Sequence, residues 1–85
     1  MKELLKRLEK AERETNRLEK LYDVDFENEE LEKEFDKAYE LQFKLFNELV
    51  NEISKITNGK IDVTTARQMI NDKRQQLAMI FERVA

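Results

Sequence analysis

From Leu4 to Phe81 the apolar residues return mostly three or four positions apart, and no proline in between forces the backbone out of a helix. The chain has 85 residues, no proline and a single glycine, Gly59. A proline would remove a helical hydrogen bond and clash with the preceding turn, so its absence leaves a 3.6-residue period free to run. The fold class expected is all-α: an antiparallel helical hairpin or three-helix bundle with coiled-coil-like packing, in a single domain over 1–85. Three helices are expected, over about 2–22, 26–57 and 63–84.

The first segment spaces Leu4, Leu8, Ala11, Thr15, Leu18 and Tyr22 by alternating fours and threes, an a/d seam thinned in its middle by Ala11 and Thr15. A helix with so narrow a seam needs a partner surface, so it should be the labile element of the fold. Tyr22-Asp23-Val24-Asp25 is the expected break, with Asp23 or Asp25 capping the next helix.

The second segment carries one stripe through Leu31, Phe35, Ala38, Leu45, Leu49, Ile53 and Ile56, and another through Tyr39, Phe43, Phe46 and Val50. Between Ala38 and Ile56 these stripes merge into a broad apolar arc. Asn58-Gly59 supplies a left-handed stop. In the third segment Val63, Ala66, Met69, Ile70, Leu77, Ile80, Phe81 and Val84 form the core stripe, entered through a Thr65–Gln68 capping box or a competing cap at Asp62 or Thr64. Lys73 falls inside that stripe, where its stem should pack and its ammonium reach toward Glu48 or Glu52.

A tight first turn would set Leu18 opposite Leu31 and Leu4 opposite Leu45. Helix one would then cover helix two only to about residue 46, by the antiparallel pairing of a helical hairpin. Apolar surface should be left over at Phe43, Phe46, Val50 and Met69, and contiguous uncovered apolar surface is the usual mark of a partner site. Self-association into a homodimer through this surface is expected.

The residue inventory excludes much chemistry. Without His or Cys the chain lacks the commonest acid–base group, the usual nucleophile–base pairs, disulfides and zinc sites. The one serine, Ser54, has no base candidate beside it on its helix. The expectation is a non-enzymatic protein with no cofactor and no metal. Asp23, Asp25, Glu27 and Glu34 match four positions of a calcium loop, but the glycine that makes its sharp turn is replaced by Asn28. Residues 58–85 carry five basic and three acidic side chains, too weak a footprint for direct nucleic-acid binding to be expected. Leu77 to Phe81 is the longest wholly apolar run and is far too short to span a bilayer. Lys2, Glu3, Lys6, Arg7 and Glu9 interrupt the N-terminus, so neither membrane insertion nor a secretory leader is expected, and the compartment expected is the cytoplasm.

What remains is charge. Residues 23–40 hold nine carboxylates against two lysines, a net −7 in a chain that totals −3. The plain reading is a solvated helix face. The sharper one is a surface formed by Asp25, Glu29, Glu30, Glu34 and Asp36 that engages a basic groove. Three functions follow as expectations. The leading one is a small protein–protein interaction module that binds and regulates a partner protein. The second is an acidic inhibitor, of the kind phages and mobile elements use, that blocks the nucleic-acid-binding groove of an enzyme. The third is a self-associating coiled-coil adaptor.

Overall fold

The computed structural model describes residues 2–84. Among them no strand occurs, and four helices follow one another: α1 (Lys2–Val24), α2 (Glu29–Ile56), α3 (Val63–Asp72) and α4 (Arg74–Val84). No helix among the described residues is long and apolar enough to cross a membrane.

The first connection lies later in the chain than the break at Tyr22–Asp25 implies. With neither Gly nor Pro to stop it, α1 continues through Val24, and Asn28 takes the capping role expected of Asp23 or Asp25. The Asn28 side chain accepts from the Leu31 N–H at 3.1 Å, and its amide nitrogen donates to Asp25 Oδ2 at 3.1 Å. Glu29, Glu30 and Glu32 then occupy the first turn of α2, where carboxylates suit the positive end of the helix dipole.

The longer connection changes the stagger. Tyr22 stacks on Phe35, with ring centroids 6.1 Å apart and planes at 20°. At the other end Leu4 shares a shallow depression with Glu48, Asn51 and Glu52 instead of facing Leu45. α1 therefore reaches about six residues further along α2, roughly 9 Å at the helical rise. Val50, expected on the surface, is only 2% exposed and lies in the buried cluster that also holds Ala66 and Ile70 of α3.

α2 ends in a Schellman motif. The Gly59 N–H donates to the Ser54 carbonyl at 2.8 Å and the Asn58 N–H to the Lys55 carbonyl at 3.2 Å. Both turn residues are left-handed, Asn58 at φ 54° and Gly59 at φ 80°. Thr57 secures the corner: its hydroxyl donates to the Ile53 carbonyl and accepts from the Ile61 N–H. Asp62 then caps α3, accepting from the Thr65 N–H at 2.8 Å. The Thr65–Gln68 capping box is therefore not the device used, and Val63, expected in the core stripe, is exposed in the first turn of α3, while the side chain of Val84 lies outside the described residues.

The expected third helix is two helices. The backbone leaves the helix at Lys73 (φ −137°, ψ 45°) and starts again at Arg74. A straight helix would put the Lys73 ammonium into the apolar stripe. The break turns Lys73 outward, where it is exposed, while Ile70 and Leu77 on either side of it are fully buried. Lys73 thus does not run its stem along the core toward Glu48 or Glu52. Arg74 Nε donates to the Ile70 carbonyl at 2.7 Å, giving it a partner at the break.

One core joins all four helices: Leu5, Leu8 and Ala11 from α1, Leu45, Leu49, Val50 and Ile53 from α2, Ala66 and Ile70 from α3, Leu77 and Phe81 from α4. Leu8 is buried as deeply as Ile53 and Ile70, so α1 is an integral part of this core. Its buried arc is wider than an a/d seam, taking in Leu5 more fully than Leu4, because α1 meets α4 as well as α2. The second contact is a bidentate ion pair in which Arg74 Nη1 and Nη2 donate to Glu12 Oε1 and Oε2, each at 2.6 Å. Glu12 accordingly raises the Arg74 pKa further above its already high ordinary value.

Candidate interaction surface

The apolar residues singled out from the sequence separate into two groups. Val50 belongs to the core and is removed from any surface role. Phe46 and Met69 are half-buried and pack against the core from its edge. Phe43 stands free at 59% exposure. One turn earlier on the same helix Tyr39 is 56% exposed, a residue that the second stripe contained but that was not singled out as a site.

Tyr39 and Phe43 are the outer end of an aromatic row. Tyr22 stacks on Phe35, and Phe35 stacks on Tyr39 with centroids 6.3 Å apart and planes at 23°. Such offset stacks hold the rings in fixed relation and add a modest stabilisation beyond burial. At 100° per residue Phe35, Tyr39 and Phe43 form one i,i+4 ridge of α2, and Glu32, Asp36 and Glu40 form the ridge beside it. All three carboxylates are exposed. The signal for this pairing of ridges was present as an i,i+4 spacing within both sets, but the acidic block read as a continuous run obscured it.

The expected acidic set does not form a single face. Asp25, Glu29, Glu30, Glu34 and Asp36 are all exposed, yet they wrap around the connection and the first turns of α2. Asp25 is engaged with the Asn28 side chain. Glu34 faces α1, where its charge helps raise the Arg17 pKa, an effect led by the hydrogen bond from Arg17 to Glu14. Glu30 lies about 120° around α2 from Asp36, while Glu29 falls within about 20° of Asp36. The calcium-loop match breaks up in the same way, since Asp23 lies in α1 and Glu34 within α2. Among the described residues no group of three or more acidic side chains is gathered as a metal site would require.

A second concavity lies between α1 and α2 beside Ala11, whose small side chain leaves room for a cleft of ≈ 490 Å³. Leu41 and Leu45 form its apolar wall, and Arg7, Lys10 and Lys44 stand around it together with Glu14 and Glu48. The mixture of charges gives that cleft no clear preference for an anionic or a cationic ligand. The aromatic and carboxylate ridges of α2 combine one sign of charge with exposed rings and are the stronger candidate. Comparison with models of known protein families, with curated proteins and with solved structures finds no match to this chain.

Proposed function

We propose that the chain is a non-enzymatic protein–protein interaction module, an antiparallel α1–α2 hairpin backed by α3 and α4, that binds and regulates a partner protein. The observation that carries this reading is the exposure of Tyr39 and Phe43, at 56% and 59%, on a helix whose other large apolar residues beyond Leu41 are covered or half-covered. Aromatic rings on a rigid helix are the side chains that most often anchor protein interfaces, because they bury large area for little lost side-chain entropy. The residue inventory supports a binding role over catalysis, with neither His nor Cys present.

The test is capture of partners from the native host, using the full chain beside a Tyr39→Ala/Phe43→Ala double variant. A protein retained by the native chain and lost by the variant supports the reading; identical capture by both overturns it. The acidic inhibitor is the second reading, favoured by the exposure of Glu29, Glu30, Glu32 and Asp36. It requires a captured nucleic-acid enzyme whose retention depends on those carboxylates and is indifferent to the two rings. Homodimerisation, and the adaptor role that follows from it, loses the buried Val50 from its expected contact surface, leaving Phe43 as its exposed centre.

A further inference from the structure

The two ridges of α2 have a shape as well as a chemistry. Adjacent i,i+4 ridges enclose a shallow groove, and the commonest way for two helices to pack is for such a ridge on one to enter such a groove on the other. Here one bank of the groove is Phe35, Tyr39 and Phe43 and the other is Glu32, Asp36 and Glu40. The chain leaves this stretch of α2 without a helix of its own beyond α1. α3 packs against α2 past its far turn, and at the Lys73 break the next residue, Arg74, reaches across to Glu12 of α1.

We propose that this groove docks a cationic amphipathic helix of a partner protein. The proposal rests on reading α2 as a binding face, and adds what binds there. Charge complementarity selects the occupant: an apolar row on the incoming helix covers Tyr39 and Phe43, while Lys or Arg along its flank meets Glu32, Asp36 and Glu40. The same cations can lie over the ring faces, whose quadrupole attracts them. An anionic or purely apolar helix would leave three carboxylates desolvated without partners, a cost that rejects it.

The probe is a synthetic Leu/Lys peptide of about 18 residues, five helical turns, with leucines spaced i,i+3,i+4. Its controls are a scrambled peptide of the same composition and a Leu/Glu counterpart. Affinity for the full chain is measured by calorimetry, and the footprint by amide chemical shifts. The amphipathic Leu/Lys peptide should bind about ten-fold or more tightly than either control, as expected when a few buried anchors carry the affinity. Tyr39→Ser/Phe43→Ser and Glu32→Gln/Asp36→Asn/Glu40→Gln should each weaken binding by about ten-fold or more, with circular dichroism unchanged because all five substituted positions are exposed.

Equal binding of the scrambled peptide, or loss with the carboxylate variant only, overturns the proposal in favour of a charge-only contact with a basic groove. A footprint outside residues 32–43 also overturns it. So does a chain that self-associates through Tyr39 and Phe43 and thereby excludes the peptide, since the occupant is then a second copy. In each of these cases ring-dependent capture of a host protein could still stand, so failure here is distinct from failure of the interaction-module reading.

Discussion

Leu8 is the residue through which the place of α1 in the fold can be measured. It is 0% exposed and lies in the cluster that also holds Leu5, Leu49 and Ile53. Leu8→Ala removes three carbons from that cluster, which at about 0.8 kcal/mol per buried methylene gives roughly 2.4 kcal/mol of lost transfer free energy. The vacated space adds a cavity term, because helices packed on several sides close only partly around it, and brings the cost to about 3–4 kcal/mol. A chain of this length has roughly 4–13 kcal/mol of stability in total, so the loss is a large fraction of it. With a urea dependence of about 1–1.5 kcal/mol per M, the unfolding midpoint should fall by roughly 2–4 M. The assay is urea unfolding followed by far-UV circular dichroism, with Leu21→Ala as control on the same helix at 46% exposure. A Leu8→Ala variant within about 0.5 kcal/mol of that control, the range of ordinary surface substitutions, would refute the placement of α1 in the core.

Three further outcomes are expected. Gly59→Ala should destabilise by about 1 kcal/mol in the same unfolding assay: its φ of 80° is unfavourable for a side chain, although nothing lies within 4 Å of the added carbon. Asp62 has its carboxyl held below the usual aspartate range by the Thr65 side chain and N–H, so it stabilises the start of α3 when ionised. That contribution is present above the unfolded pKa of about 4 and is lost as pH falls through the lower folded value; Asp62→Asn should flatten acid-induced fraying of α3 seen by hydrogen exchange. A double-mutant cycle on Glu12→Gln and Arg74→Gln should give a coupling of about 1 kcal/mol, above most exposed pairs because the contact is bidentate and partly shielded, and a zero coupling would show that the pair does not tie α4 to α1.

The all-helical fold was legible because its signals are local. Apolar spacing, the absence of proline and the Asn58-Gly59 stop each act within a turn or two, and the stop takes the left-handed form its residues favour. The first connection was harder to place, since Asp23, Asp25 and Asn28 are chemically equivalent caps and only tertiary packing chooses among them. That choice fixed the stagger of α1 on α2, while Val50 joined the core in a cluster with Ala66 and Ile70 of α3, a meeting of helices that no single stripe contains. The Lys73 break was signalled by a charge inside an apolar stripe, but a lysine there can snorkel or break the helix, and periodicity alone cannot separate the two. Tyr39 was missed because exposure depends on what covers a helix face, which the sequence of that helix does not contain.

The break in the third segment bears on the face of α2 that carries Tyr39 and Phe43. An unbroken third helix would have run on along α2 toward Gln42 and Phe35. In the structure Val50 is buried in the cluster that holds Ala66 and Ile70 of α3, and the break at Lys73 sends Arg74 to Glu12 on α1. The uncovered surface is thereby moved from the middle of α2 to its N-terminal half, where the carboxylates are. Apolar exposure and negative charge therefore come together through backbone geometry, at a place where neither stripe taken alone would put them. Restoring a continuous third helix, by Lys73→Leu with Arg74→Ala to release α4 from α1, should draw that helix back along α2. Tyr39 and Phe43 should then lose solvent exposure, read as slower quenching of tyrosine fluorescence and altered amide shifts at 39–43. Unchanged exposure of both rings in a folded variant would show that the break and the ion pair do not keep this face open.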